Sequence, residues 1–368
     1  MKNLMFIICA TMMFIGCSSG GSKNNSNAGN QETLQTVSQQ STMPEAETLE
    51  DIFVVNRNGK CGYVNKDGKS VIDQQFDAAG TFSNGLAVVK IDGKCGAIDR
   101  SGEMVIRPQF DDMCAFDNNL ARIMFNDKYG FIDKTGRIVI SPKYDTVAWA
   151  FVDGLAAVKV NNKYGYINKT GDIEIVPQFD RASNFKEGLA RVKIGNNYGF
   201  INTSGKIAIN PIYSFASDFS DGLACVEIKS SENTYARKTV FINSKGDIVI
   251  TIPEKTHAFS FSEGFACVTT YGGDKIQCGY IDKKGDFVIL PQYDDGYDFR
   301  EGLASVEING KWGYVDKTGR LVIEHQFDSC LDFYKGYASV EVGEKWGVID
   351  TNGNFVLNPV YDFACYAE

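Results

Sequence analysis

The sequence predicts an all-β protein made of about nine three-stranded β-meander repeats in tandem, with an open β array or solenoid preferred over a closed β-propeller. Three observations support this prediction. The 25 Phe and 17 Tyr stand against 37 Gly and only 8 Pro, a balance that favours short strands joined by glycine turns. Apolar residues alternate in short runs, and the whole pattern recurs at a nearly fixed spacing.

The spacing is clearest at a glycine that follows Tyr, Trp or Cys. Successive markers differ by 34, 34, 35, 34, 41, 39, 34 and 34 residues, and the sixth copy has valine in place of glycine. The markers are Gly62, Gly96, Gly130, Gly165, Gly199, Val240, Gly279, Gly313 and Gly347. A copy of this length cannot bury its aromatic residues alone, so the copies must stack on one another.

Each copy contains three strand-like pieces, for example Ala304 to Ile308, Trp312 to Val315, and Leu321 to Ile323. A turn of the form Asp/Asn-x-x-Gly, such as Asp316 to Gly319, joins the second piece to the third. The Phe and Leu of a recurring F-x-x-G-L-A segment are expected to fill the core between neighbouring copies. Propellers usually have 4–8 blades, so nine copies favour the open array, although the degenerate sixth copy could reduce the count.

The turn carboxylates raise the question of calcium. Calcium loops gather several oxygen ligands within about a dozen residues, whereas these carboxylates occur once per turn and alternate with Asn. Turn closure and backbone capping explain them, so we predict no metal site and no cofactor.

The N-terminal residues predict export and lipid anchoring. Lys2 is followed by an uncharged run from Leu4 to Ile15, which is too short to span a membrane but suits a signal peptide. The ending Phe14-Ile15-Gly16-Cys17 resembles the lipobox of bacterial lipoproteins. We therefore expect a signal peptide at 1–16, lipidation at Cys17, a flexible polar tether at 17–50 and the repeat domain at 51–368. The membrane would be the outer one in a bacterium that has two.

A family resemblance rests on Lys311-Trp312-Gly313-Tyr314 and Lys345-Trp346-Gly347-Val348, each followed by an Asp-x-x-Gly turn and then Gln-Phe-Asp or Pro-Val-Tyr-Asp. These segments resemble WG repeats, also called KWG repeats, and the resemblance covers residues 52 to 362. It implies neither an enzyme activity nor catalytic residues.

The histidines, motifs and cysteines of the chain agree with that implication. His257 and His325 are the two histidines, and His325 is interpreted as a turn residue. No G-x-S-x-G, H-E-x-x-H or C-x-x-C motif is present in the predicted repeat domain, residues 51–368. The eight cysteines beyond Cys17 are interpreted as buried free thiols. The pairings Cys61–Cys95 and Cys225–Cys267 are the two disulfides that neighbouring copies would permit.

The sequence predicts a non-enzymatic, envelope-anchored binding or scaffold protein that presents a repetitive β surface to an envelope protein or glycan. An enzyme, or an accessory module of one, acting on envelope glycans is the alternative. A formal net charge of -9 disfavours nucleic acid as a partner. Two insertions around the sixth copy predict binding loops, or else mark a decaying repeat whose turns drifted. The candidate binding residues are Lys229, Glu232, Tyr235, Arg237, Tyr271 and Asp274.

Overall fold

The computed structural model describes residues 51–229, 237–271 and 275–367, and these residues form nine four-stranded antiparallel sheets. We call the sheets blades 1 to 9 and number the strands of each blade first to fourth in the order of their pairing. The predicted signal peptide, Cys17 and the predicted tether lie outside the described residues. No helix long and apolar enough to cross a membrane occurs within the described ranges.

The strands of blades 1 to 5 are short and follow one another along the chain. In blade 1, the second to fourth strands are β1 (Ile52–Arg57), β2 (Lys60–Asn65) and β3 (Ser70–Phe76). Blades 2 and 3 contain β4 (Ala78–Ser83), β5 (Leu86–Ile91), β6 (Lys94–Asp99), β7 (Met104–Phe110), β8 (Asp112–Met113), β9 (Leu120–Phe125), β10 (Lys128–Asp133) and β11 (Ile138–Tyr144). Blades 4 and 5 contain β12 (Thr146–Val147), β13 (Ala156–Val160), β14 (Lys163–Ile167), β15 (Ile173–Phe179), β16 (Arg181–Ala182), β17 (Leu189–Ile194), β18 (Asn197–Asn202) and β19 (Ile207–Tyr213).

Blades 6 to 9 continue the same order. Blades 6 and 7 contain β20 (Phe215–Ala216), β21 (Ala224–Lys229), β22 (Arg237–Ile242), β23 (Ile248–Thr251), β24 (Thr256–Ser262), β25 (Phe265–Thr270), β26 (Gln277–Asp282) and β27 (Phe287–Tyr293). Blades 8 and 9 contain β28 (Asp295–Gly296), β29 (Leu303–Ile308), β30 (Lys311–Asp316), β31 (Leu321–Phe327), β32 (Ser329–Cys330), β33 (Tyr337–Val342), β34 (Lys345–Asp350) and β35 (Phe355–Tyr361). The last strand, β36 (Phe363–Tyr366), serves as the first strand of blade 1.

The marker glycine is required by a bulge in the fourth strand. In blade 8, Trp312 pairs with Phe327 and Tyr314 pairs with Ile323, so two extra residues of β31 bulge beside Gly313. A Cβ atom on Gly313 would lie 2.5 Å from the carbonyl oxygen of Ile323. Real Cβ atoms do not approach backbone that closely, so only glycine fits at this position.

Blade 6 lost the glycine and the bulge together. There Val240 pairs with Thr251 and Phe241 pairs with Ile250, which are consecutive residues on both strands. The fourth strand, β23, also has only four residues, against seven in the other blades. Without the bulge, the backbone leaves room for the valine side chain, which is buried.

Aromatic residues pack between consecutive blades, as the F-x-x-G-L-A segment predicts. The Phe of this segment contacts an aromatic side chain on the third strand of the preceding blade, with ring centroids 4.8 Å apart for Tyr314 and Phe333. The same contact recurs between Tyr63 and Phe82, Phe131 and Phe151, Tyr166 and Phe185, Phe200 and Phe219, Phe241 and Phe261, and Tyr280 and Phe299. The predicted core role of these residues is confirmed.

The preference for an open array or solenoid was wrong, because the blades form a closed nine-bladed β-propeller. Strand β36 pairs with β1 through Phe363 to Tyr366, and this pairing joins the C-terminal end of the domain to its beginning. The prediction of three strands per copy was also wrong, because each blade has a fourth strand that comes first in the pairing order. This strand is as short as two residues, Asp112–Met113, in blade 3. The usual upper limit of eight blades is a tendency, and this ring closes with nine.

Candidate functional site

One end of the propeller carries the turns between the second and third strands together with the links between blades. We call it the lysine face, because six third strands begin there with a lysine: Lys60, Lys94, Lys128, Lys163, Lys311 and Lys345. The F-x-x-G and Asp-x-x-Gly turns lie at the opposite end, since antiparallel strands reverse direction at each turn.

On the lysine face, an aspartate connects most of the regular blades to the next. The Lys94 Nζ atom lies 2.6 Å from Asp111 Oδ1, and Asp111 Oδ2 accepts a hydrogen bond from the backbone amide of Asn126 in the following blade. The Lys–Asp pair recurs, always 17 residues apart, as Lys60–Asp77, Lys128–Asp145, Lys163–Asp180, Lys311–Asp328 and Lys345–Asp362. Hydrogen bonds from the lysines lower the pKa of Asp77, Asp145, Asp180, Asp328 and Asp362. These repeated charges are therefore structural.

The Lys–Asp pattern is interrupted in blades 5, 6 and 7. Asn197 and Ser214 occupy the two positions in blade 5, and Gln277 occupies the lysine position in blade 7. Blade 6 has Lys238 at the lysine position and Thr256 at the aspartate position, so blade 6 lacks the carboxylate of this ion pair. This interruption gives one sector of the lysine face a different charge pattern from the rest.

The described residues that flank both predicted loops lie in this sector. Lys229 and Arg237 were expected on a loop, but they are the last residue of β21 and the first residue of β22, and they pair with each other. The strands of blade 6 thus extend to the base of the insertion. Glu232 and Tyr235 lie outside the described residues.

The second loop follows β25 in blade 7. Tyr271 is about half exposed, and its backbone amide donates a 2.7 Å hydrogen bond to the carbonyl oxygen of Lys255. Asp274 lies outside the described residues. The structure therefore brings Lys229, Arg237 and Tyr271 to the same face of two adjacent blades.

Two further residues of this sector went unnoticed in the sequence. Ile276 is exposed beside the second loop, and Lys255 lies in the link between blades 6 and 7. The signal for Lys255 was available, because the other copies have Phe or Tyr at this position, directly before the aspartate. Ile276 had no such signal, since exposed apolar residues are common in surface strands.

A second cluster lies where blades 8 and 9 meet. Asp298 and Asp332 precede the core residues Phe299 and Phe333, and burial raises the pKa of both carboxyls, that of Asp332 to about 6. The Arg300 Nε atom lies 4.0 Å from Asp332 Oδ2. No sequence pattern indicates this cluster, because the raised pKa values depend on burial between blades.

No three His, Cys, Asp or Glu side chains within residues 51–229, 237–271 and 275–367 come together as a metal site. Instead, the Asp-x-x-Gly carboxylates bind backbone. Asp316 Oδ1 accepts hydrogen bonds from the Thr318 hydroxyl and from the amides of Thr318 and Arg320, and these bonds lower its pKa to about 2. His325 lies in strand β31 rather than in a turn, which corrects the interpretation from sequence.

Of the eight cysteines in the described residues, seven are buried. Neither Cys61–Cys95 nor Cys225–Cys267 forms a disulfide. The sulfur of Cys267 instead lies 2.8 Å from that of Cys278 on the neighbouring strand of the same blade.

Comparisons with known proteins bear on fold and family. The crystal structure of the eukaryotic initiation factor is similar, with a TM-score of 0.61 at 10% identity over 87% of this chain and 99% of that chain. At this identity the likeness concerns the fold alone, and it agrees with the closed ring of blades. The structure of BamB from Moraxella catarrhalis has a TM-score of 0.40 at 11% identity, over 74% of this chain and 91% of that chain. No curated protein matches the chain.

The family model described as "WG containing repeat" matches nine segments of the chain. They are 62–95, 96–129, 129–164, 164–198, 198–230, 241–272, 279–312, 312–346 and 346–367. Because these segments cover most of the sequence, the chain belongs to the family of proteins built from WG containing repeats.

Proposed function

We propose that this protein is a non-enzymatic binding or scaffold protein, anchored by lipid at Cys17 to the bacterial cell envelope. Its partner would be an envelope protein or glycan, bound on the lysine face at blades 6 and 7. The observation that carries the proposal is that the strand ends flanking both insertions lie on one face of adjacent blades, in the sector where the Lys–Asp pattern is interrupted.

The composition of this sector suits recognition. Lys238 and Lys255 supply positive charge on a chain whose net charge is -9, and Tyr271 supplies an exposed aromatic ring. Tyr and Arg are the residue types most often found as interface anchors, and binding residues concentrate on loops held by a rigid scaffold. A partner with acidic groups and a flat apolar or sugar surface would complement this sector.

The test is capture of a partner by the full chain, solubilised in detergent, from envelope extract and from purified envelope glycans. In the test variant, residues 230–236 and 271–276 are each replaced by the Asn-Gly turn of blade 8. The matched control replaces Asn309-Gly310 in blade 8 by the Asn161-Asn162 turn of blade 4. We expect the trimmed variant to lose affinity at least tenfold while the control keeps it. Unchanged affinity of a folded trimmed variant would place binding on the repetitive surface instead.

The alternative, an enzyme or accessory module acting on envelope glycans, is favoured by Asp298 and Asp332. Carboxyls with raised pKa values cluster at catalytic sites, where one of them can serve as a general acid. Release of soluble saccharides from envelope glycans by the full chain, abolished by Asp332→Asn, would support this alternative. Absence of release leaves the binding function as the better explanation.

A further inference from the structure

We propose that Cys267 and Cys278 form a disulfide bond across the hairpin of blade 7 that carries Tyr271. Cys267 pairs with Tyr280, and Thr269 pairs with Cys278, so the two cysteines are diagonal neighbours on one face of the β25–β26 ladder. Their sulfur atoms are 2.8 Å apart. Both side chains are almost fully buried, which holds the two sulfurs together in a fixed environment.

Blade 7 is the single copy in the sequence with cysteine at both of these positions. The position of Cys278 is filled by Tyr or Trp in five copies, as in Trp312 of blade 8. The position of Cys267 is filled by serine in blades 8 and 9, at Ser305 and Ser339. Cys61, Cys95 and Cys225 each face a residue other than cysteine across their own hairpin: Val54, Val88 and Thr239.

Blade 8, which packs against blade 7, leaves space for these two sulfur atoms at Gly296. A Cβ atom at Gly296 would lie 2.9 Å from Cys278 Sγ and 2.7 Å from the Tyr280 hydroxyl oxygen. The equivalent residues of blades 3, 4 and 9 are Met113, Val147 and Cys330, all with larger side chains. Glycine at 296 therefore leaves the space that the two sulfurs occupy.

Disulfide formation here is a two-electron oxidation by thiol–disulfide exchange, and the oxidant is a small disulfide such as oxidised glutathione. One cysteine thiolate attacks the oxidant and releases one thiolate. The second cysteine thiolate then attacks the mixed disulfide and releases the other, so two thiols lose two protons and two electrons. Contact with the Cys278 sulfur, together with burial, raises the pKa of Cys267 well above its usual value. Exchange is therefore slow in the folded blade, and the bond forms while blade 7 folds.

The bond would fasten the base of the second candidate loop. The two cysteines are 11 residues apart and enclose Tyr271 and the residues that follow it. Closing such a loop reduces the number of conformations open to it, and a preorganised loop binds with a smaller entropic cost. This consequence rests on the proposed binding function, whereas the bond itself depends only on an oxidising environment.

The test uses the full chain, refolded in a glutathione redox buffer, alkylated with N-ethylmaleimide after denaturation and digested with trypsin without reduction. Cleavage after Lys255, Lys275 and Lys283 yields peptides 256–275 and 276–283. We expect these peptides to be joined, with a mass 2 Da below the sum of the free thiol forms. Recovery of both as alkylated thiols, under conditions in which the chain is folded, would overturn the proposal.

Two serine variants show whether the joined peptide depends on Cys267. Cys267→Ser should abolish the joined peptide and still fold, because serine is buried at the same position in blades 8 and 9. Cys225→Ser, at the equivalent position of blade 6, should leave the joined peptide intact. Neither measurement requires a binding partner, so failure of the disulfide and failure of the proposed function give separate results.

Discussion

Asp362 accepts a hydrogen bond from the backbone amide of Asn58, with Oδ2 2.6 Å from the amide nitrogen, although the two residues are 304 positions apart. The other oxygen of the same carboxylate lies 2.6 Å from Lys345 Nζ. Asp328 makes the equivalent bonds to Lys311 and to the amide of Gly343 between blades 8 and 9. The closure of the ring therefore uses the same contacts as any other junction between blades, with β36 added.

We predict that removal of β36 opens the ring. A chain ending at Asp362 loses four paired residues on β1 and exposes Phe53 and Val55, which are fully buried in the intact propeller. An unpaired apolar edge strand promotes association. We expect a loss of about 4 kcal/mol or more in the free energy of unfolding, together with oligomers in light scattering. The control, Asp362→Ala, keeps β36 and should cost only about 1 kcal/mol.

The marker glycine offers a second prediction, about backbone contact. Gly313→Ala should destabilise the protein by about 3 kcal/mol or more, because the new Cβ atom meets the backbone of β31 and the bulge must shift. Gly310→Ala is the matched control, since Gly310 has a φ of 77° but open space around its Cα atom. It should cost about 1 kcal/mol. Equal midpoints for the two variants in denaturant unfolding would contradict the role assigned to the bulge.

Part of the fold was predictable from the sequence. The marker spacing, the three longer strands and the Asp-x-x-Gly turn were predictable from local pattern. The first strand was not, because two paired residues such as Asp112 and Met113 have no alternating run. Ring closure depends on pairing between Phe53 and Tyr366, and no local pattern records that pairing.

The candidate site was predictable to a similar extent. Insertions relative to the repeat led to the prediction of binding residues at Tyr235, which lies outside the described residues, and at Tyr271. The inter-blade role of the Lys–Asp pairs was missed, although the 17-residue spacing from Lys94 to Asp111 is visible in the sequence. The Cys267–Cys278 contact was missed because neighbouring copies, rather than neighbouring strands of one copy, were compared.

Metal removal tests the structural role of the turn carboxylates. Asp133 and Asp316 accept backbone amide hydrogen bonds within their own turns. These bonds stabilise the negative charge of each carboxylate, so no bound cation is needed to do so. We expect the melting temperature to stay within 1 °C, roughly the error of the method, after treatment with EDTA. A fall of many degrees that calcium alone reverses would instead establish a calcium-dependent fold.

Membrane association tests the proposed anchor. Cys17→Ala removes the thiol to which lipid would attach, so the chain should move from the membrane fraction to the soluble fraction. Cys9→Ala, within the predicted signal peptide, is the matched control and should leave fractionation unchanged. If both variants remain with the membranes, the lipid anchor at Cys17 is ruled out.

The last prediction concerns the pH dependence of stability at Asp332. The side chain is 15% exposed, and burial raises its pKa from 3.8 to about 6. In the pH range between these values the folded state keeps the proton while the unfolded state loses it, so this residue contributes less stability as the pH rises. Above pH 6 the folded protein must bury a charged carboxylate.

Asp332→Asn removes that charge, so the variant should be more stable than the natural protein at pH 7.5, with little or no gain at pH 4. Each unit of pKa difference between folded and unfolded states corresponds to about 1.4 kcal/mol, which places the gain at about 1–3 kcal/mol. Asp328→Asn is the opposite case, because a hydrogen bond from Lys311 lowers the pKa of Asp328. The Asp328→Asn variant should be less stable than the natural protein at pH 7.5, and the difference should be smaller near pH 4. Denaturant unfolding of both variants at the two pH values measures the direction of each change in stability. A loss of stability for Asp332→Asn at pH 7.5 would contradict the prediction. It would show that the charged carboxylate, paired with Arg300, stabilises the contact between blades 8 and 9.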